Sequence, residues 1–308
     1  MPTKITARDA LLERLAIDRR RVVSEWRTLV LLRRATFDLP PARRRWSALP
    51  RTTDDVRPVL RQMLRRGDLV PIAGQTQARL REVTVPYAND GFVDETEILF
   101  ELHPYCTKSH FSALVFHGVT QQTPKVLTVT VPLDGKGDFL PLGTDADDWE
   151  GIGLVRGRKA VRILGQSVIW SRADTRRLVG MREYRPRGYP IRVTTLERSL
   201  IDGLAQPELC GGIENVFQAW TMARDAIDLD ATIALGDALD VGVGRQRIGY
   251  VLDRLGLRHA GMDRWRGSAQ RGGSSKLVGS APYASTFDER WSLSLNAPVD
   301  VLGGAAAW

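Results

Sequence analysis

The chain has 308 residues, 43% of them hydrophobic and 26% charged, enough for a packed core and for more than one domain. No run of 18 apolar residues occurs, which excludes a membrane-spanning helix by hydropathy. The stretch from Met1 to Asp9 lacks the apolar segment of a signal peptide, so a cytoplasmic location is expected. The two cysteines, Cys106 and Cys210, belong to no CxxC pair. They read as buried thiols and argue against a zinc site or a disulfide framework.

Charge is unevenly placed. Residues 1–90 hold 19 Lys+Arg against 10 Asp+Glu, a net of +9, whereas residues 91–308 hold 25 against 26. Of the basic residues 38 are arginine and 6 lysine. Codon usage in a GC-rich genome accounts for that preference, but not for the clustering of net charge. Localised basic charge is the electrostatic footprint of a nucleic-acid binder.

In chain order, Leu11, Leu12 and Leu15 predict a short helix over 6–17, followed by the basic turn Arg19-Arg20-Arg21. Ser24 caps a second helix with Trp26, Leu29, Val30 and Leu32 as its apolar stripe. Pro40-Pro41 breaks the chain, and a short third helix is expected from Pro41 to near Leu49, carrying Arg43, Arg44, Arg45 and Trp46. Pro58 restricts the next helix to a start at Asp55, because a proline ring clashes with the carbonyl four residues back. Gly67 ends it. Val56, Leu60, Met63 and Leu64 form its inner face, and Arg57, Arg61 and Arg65 a stripe at four-residue spacing. Leu69 to Ile72 and Arg79 to Val85 then read as a hairpin. Helix, turn, helix and hairpin is the order of a winged helix-turn-helix.

Residues 86–97 read as a domain boundary. Beyond it, strands are expected at 126–131, 160–164, 167–170, after Pro190 and at 290–295. Helices are expected at 109–117, closed by Gly118, at 211–225, 230–239 and 244–255, and after a capping box of Thr194 and Glu197. The Gly/Ser-rich stretch 266–280 reads as a linker. The fold class is therefore α+β: a winged-helix DNA-binding domain over 1–90 with a basic N-terminal extension, then a larger mixed α/β domain over 91–308.

A helix fits the major groove, where arginine binds guanine bidentately, and arginines also clamp phosphates. The candidate DNA contacts are Arg43, Arg44 and Arg45 before the reading helix, Thr53, Arg57, Arg61, Arg65 and Arg66 around it, and Gln75, Gln77, Arg79 and Arg81 on the hairpin. Arg57, nearest the helix start, is the first choice for a base contact. His103, His110 and His117 recur every seven residues, but Pro104 breaks any shared helix and the spacing does not suit zinc. Asp145, Asp147, Asp148 and Glu150, with Lys159, are the residues a metal-dependent nuclease would need; a solvated loop is the plainer reading. There is no GxSxG, HExxH or P-loop, so no catalytic residue, metal or cofactor is assigned.

Two blocks in the second half carry a family resemblance. Ser109 to Thr120 (SHFSALVFHGVT) resembles the SAL…HGL block of AbiEi-type antitoxins, and Val193 to Asp202 (VTTLERSLID) is similar to their TTPERTLID block, with Leu196 where the family has proline. The chain looks most like mycobacterial members of that group. The resemblance implies a type IV toxin–antitoxin operon, in which the antitoxin represses its own promoter through the winged helix. The larger domain then counters a nucleotidyltransferase toxin. It marks Ser112, His117, Thr195, Glu197, Arg198 and Asp202 as motif positions, with Arg198 and Asp202 in an internal salt bridge or hydrogen bond rather than in catalysis. The implied partners are double-stranded promoter DNA and the toxin, with no membrane. A repressor with a ligand-sensing C-terminal domain is the alternative, and the nuclease a more distant one.

Overall fold

The computed structural model describes residues 4–73, 75, 79–84, 92–240, 242–268 and 275–302. It is a mixed α+β structure that divides into two compact units, each assembled from several stretches. The first comprises 1–106, 131–168 and 183–192, the second 107–130, 169–182 and 193–308.

The first unit begins with helix α1 (Ala7–Ile17), capped by Thr6, whose side chain accepts from Asp9 N. Strand β1 (Val22–Val23) and helix α2 (Glu25–Asp38) follow, with Ser24 as the cap of α2. Then come α3 (Thr53–Arg66), β2 (Leu69–Pro71) and β3 (Arg81–Val83). The three strands form an antiparallel sheet in the order β1-β3-β2, in which Glu82 faces Val22 on one side and Val70 on the other. Leu11, Leu15, Leu29, Leu32, Val56, Met63 and Leu69 pack as one buried cluster between helices and sheet. This is the apolar periodicity of the sequence turned inward.

Two local expectations change. The helix expected over Pro41–Leu49 is a single 3-10 turn, Pro41–Arg43. The backbone beyond it pairs elsewhere: Ile5 N donates to Arg43 O (2.8 Å) and Arg45 N to Ile5 O (3.0 Å), which removes the groups a helix would use. Helix α3 starts at Thr53, not after Asp55. The Asp55 carboxylate accepts from Arg51 N (2.8 Å) and Thr52 N (2.9 Å) as the third-position member of a capping box. Pro58 is accommodated inside the helix, where the only intrahelical acceptor it leaves without its N–H is the Asp54 carbonyl in the first turn. Gly67 closes α3 at φ 75° as expected.

The expected boundary at residue 90 lies in 85–91, outside the described residues. Helix α4 (Glu95–Leu102), within the stretch read as boundary, belongs to the first unit. Its two inward carboxylates are the reason. Glu97 accepts from Arg21 N (2.9 Å) and Val22 N (3.0 Å). Glu101 accepts from Ser24 N (3.2 Å), Ser24 Oγ, and Arg27 Nε (2.9 Å). Burial holds the Glu97 carboxyl up at about 7, well above the ordinary carboxylate range.

The larger sheet has six strands in the order β6-β7-β5-β4-β9-β8. These are β4 (Thr107–Lys108), β5 (Val126–Pro132), β6 (Arg162–Ile163), β7 (Gln166–Ala173), β8 (Met181–Tyr184) and β9 (Ile191–Thr194). Within the second unit, β4 runs antiparallel to β5 and parallel to β9. Its helices are α5 (His110–Phe116), α6 (Leu196–Ala205), α7 (Ile213–Ala223), α8 (Leu229–Ala238), α9 (Gly242–Arg254) and α10 (Ala260–Ser268). A small sheet of β10 (Ser275–Lys276), β12 (Leu293–Ser294) and β11 (Phe287–Asp288) completes it. The core is built around Leu200, Phe217, Trp220, Trp265, Trp291 and Leu277, all buried. The linker expected over 266–280 is thus corrected. Helix α10 reaches Ser268, β10 begins at Ser275, and Leu277 is fully buried. The cap of α6 is Thr195, one residue later than expected, because Thr194 is still part of β9.

Candidate functional site

The predicted contacts of the first unit gather on the outer side of α3 and at the start of β3, with six exceptions. On α3, Val56, Val59, Leu60 and Met63 are buried, which turns Arg61, Arg65 and Arg66 to solvent. Those three arginines make no ion pair with any described residue. Arg57 does: its Nη1 lies 2.6 Å from Asp54 Oδ1 and its Nε 3.4 Å from Glu25 Oε1. Arg79, in the left-handed region at φ 52°, reaches the same Glu25 carboxylate, Nη1 to Oε2 at 3.2 Å. Glu25 is the first residue of α2. It therefore gathers one arginine from α3 and one from the approach to β3. A groove of about 360 Å³ runs between these elements, lined by Glu25, Arg57, Arg61, Arg79 and Arg81 over Leu60 and Leu64.

The exceptions are Arg43, Arg44, Arg45, Thr53, Gln75 and Gln77. Arg44 is half-buried, with Nε and Nη1 buried and lacking a hydrogen-bond partner, and its guanidinium lies 5.9 Å from the Trp46 ring centre. It packs into the unit, while Arg43 and Arg45 on either side are exposed. Thr53 is half-buried in the first turn of α3. Gln75 donates to Arg162 O at 3.4 Å, and Gln77 lies outside the described residues.

Of the acidic cluster, Asp145, Asp147 and Glu150 are exposed, as a solvated loop requires, and only Asp148 is buried. Asp148 takes Arg34 in a two-pronged pair (2.7 and 2.6 Å) and accepts from Asp145 N at 2.8 Å. Its carbonyl accepts from Arg33 Nε at 2.9 Å. Among the described residues no group of three or more His, Cys, Asp or Glu side chains is placed to hold a metal ion.

In the second unit the residues singled out in the blocks 109–120 and 193–202, Ser112 apart, meet at the start of α6. His117 Nε2 donates to Thr194 O (2.7 Å). Ser112 exchanges two hydrogen bonds with Thr128, N to Oγ1 at 2.9 Å and Oγ from N at 2.8 Å. Thr195 caps α6 by accepting from Arg198 N, and Glu197 accepts from Asp228 N at 3.3 Å. Arg198 pairs with Asp202 (Nε to Oδ1, 2.8 Å) and donates from Nη1 to Arg177 O (2.8 Å) and Val179 O (2.6 Å). These residues tie a strand, a turn and a helix together. Beside them lies a cavity of about 580 Å³, which sequence reasoning missed because its side chains come from separate elements with no common spacing.

No protein-family model matches the chain, and no curated protein matches it. Among solved structures, the chain is similar to the Rv2827c protein from Mycobacterium tuberculosis at 14% identity, covering 93% of this chain and 90% of that one, with a TM-score of 0.49.

Proposed function

We propose that the first unit carries a winged helix-turn-helix that binds double-stranded DNA, with α3 as the reading helix and the β2–β3 hairpin as the wing. The observation that carries this reading is the element order α1-β1-α2-α3-β2-β3 with a β1-β3-β2 antiparallel sheet, joined to a helix α3 whose outward face is arginine. Concentration of the net charge in residues 1–90 supports it. Free guanidiniums on Arg61, Arg65 and Arg66 suit phosphates and guanine edges.

The protein then acts as a transcriptional autorepressor, not as an enzyme, and as the antitoxin of a nucleotidyltransferase toxin. The antitoxin half rests on the likeness of residues 109–120 and 193–202 to the AbiEi-type blocks. The ordered hydrogen-bond set around His117, Thr195, Arg198 and Asp202 gives those motif residues a shared structural task. The test is co-expression. The gene beside this one should encode a nucleotidyltransferase that arrests growth alone and not together with this chain, and the chain should bind the DNA upstream of the pair. A neighbour of another class, with no growth rescue, would remove the antitoxin reading while leaving DNA binding to be judged by its own measurement.

A further inference from the structure

The cavity of the second unit has the volume of a small-molecule site, about 580 Å³. It lies wholly within that unit. One side is apolar, from Ile201, Leu204, Leu239 and Ile248. The rest is dominated by five arginines, 172, 177, 198, 245 and 247, against the acids Asp174 and Asp202. Their partners separate them into two groups. Arg198 is neutralised by Asp202, and Arg245 by Asp240 (2.7 Å) and Asp237 (3.5 Å). Arg247 has no carboxylate among the described residues. Its Nε donates to Lys276 O (3.0 Å) and its Nη1 to Leu204 O (3.3 Å). Arg172 and Arg177 are exposed and make no side-chain ion pair with a described residue, while the Asp174 carboxylate is turned to Arg176 N (3.0 Å).

Neutral carbonyls orient a guanidinium without cancelling its charge. Arg247 is half-buried, and burial pushes its pKa down, as expected for a cation lacking a counter-ion. One more strained element faces the same space. His110 sits at φ 50°, outside the conformations a histidine prefers, and is held between Ser109 Oγ (2.9 Å) and Gln206 Oε1 (3.0 Å). The cavity is therefore an apolar slot walled by positive charge that the chain leaves uncompensated.

We propose that this cavity binds a small ligand with a phosphate or carboxylate head on a flat apolar body. The head lies toward Arg247 with Arg172 and Arg177 at the rim, and the body lies on Ile201, Leu239 and Ile248. The guanidinium fork matches either anion in a two-pronged geometry, which a neutral head cannot reproduce. The inference is independent of the nucleic-acid reading.

The test uses the full chain, by calorimetric titration with 1-naphthyl phosphate, 1-naphthoate, neutral 1-naphthamide and inorganic phosphate. At least one naphthyl anion should bind saturably and about tenfold or more tighter than the amide and than phosphate alone. Which of the two anions binds more tightly identifies the head. Arg172→Gln with Arg177→Gln, at two exposed positions that make no ion pair with a described residue, should weaken that anion about tenfold at an unchanged melting temperature. Arg247→Lys, which keeps the charge but loses the fork, should also weaken it. The proposal is overturned if none of the four probes binds, if the amide binds as tightly as both anions, or if the Arg172/Arg177 double variant binds like the parent.

Discussion

At the scale of single residues, Glu25 governs which arginines of the proposed interface are available. It holds Arg57 and Arg79, while Arg61, Arg65 and Arg66 are unencumbered. Arg57, the sequence's first choice for base reading, is thus held twice, by Glu25 and by Asp54, and Arg61 one turn on becomes the better reader. Glu25→Gln should release Arg57 and Arg79 to bind any duplex. Titration onto a scrambled duplex at several salt concentrations should then give tighter binding and a steeper salt slope, by up to about 2, since each phosphate neutralised adds about 0.9. An unchanged slope would show that Glu25 does not restrain those arginines. The pairs were invisible in the sequence because residues 25, 57 and 79 share no periodicity; only folding of α2, α3 and β3 together makes them neighbours.

Glu97 gives a second residue-level test. Its carboxyl is held up at about 7 mainly by burial. A carboxyl raised in the folded state favours folding at pH values below the ordinary carboxylate range. That contribution is lost as pH rises through about 7. His103, held down at about 4 by burial, acts oppositely, losing stability as pH falls, so the parent alone is a poor reporter. The difference between parent and Glu97→Gln isolates the carboxyl. Between pH 5.5 and 8.5, urea unfolding should show the variant gaining roughly 2 kcal/mol relative to the parent. A gap that does not change with pH would place the Glu97 carboxyl in the ordinary range.

At the scale of elements, α9 is shaped by one close approach. Gly249 lies against the six-membered ring of Trp291, and a Cβ there would collide with the Cη2, Cζ3 and Cζ2 atoms of the indole. Trp291 is fully buried and donates from Nε1 to Asp253 Oδ2 at 2.7 Å, so it has little room to retreat. Gly249→Ala, which on an open helix would stabilise, should instead cost about 1–3 kcal/mol in chemical unfolding. A neutral or stabilising result would mean that the ring moves freely.

Element by element, what the sequence made legible follows from what each segment buries. Helices α2 and α3, strand β5 and the stops at Gly67 and Gly118 were readable because their inward faces are apolar and their ends carry ordinary caps. Helix α4 was not, since it turns Glu97 and Glu101 inward at four-residue spacing, a pattern that reads as a solvent face. The stretch 41–49 has helical composition, but its backbone pairs with Ile5, a contact no local pattern encodes. Helix α10 and β10 lie in Gly/Ser-rich sequence, and only the partners of Trp265 and Leu277 in the core explain why they are ordered there. Of the candidate site, the arginine stripe of α3 was legible and its division into held and free members was not.

At the scale of the whole molecule, the proposed DNA interface and the proposed ligand cavity fall in different units. Most of the net positive charge and the arginine face of α3 lie in the first unit, and the blocks 109–120 and 193–202 with the arginine-walled cavity in the second. Among the described residues no helix is long and apolar enough to cross a membrane. The first unit also includes α4, whose buried carboxylates bind β1 and the start of α2. A fragment ending at residue 90 would strand those partners, so DNA binding is best measured on the full chain.

The central claim is that α3 of the full chain binds duplex DNA through Arg61, Arg65 and Arg66. The most direct measurement is the affinity of the parent and of the Arg61→Gln, Arg65→Gln, Arg66→Gln triple variant for the DNA upstream of the gene, at 50, 100 and 200 mM salt. The parent's log affinity should fall linearly with log salt, and the triple variant should bind more weakly with a slope flatter by about 2 to 3. Equal affinity and equal slope in the two proteins, or no binding by the parent at the lowest salt, would contradict the account.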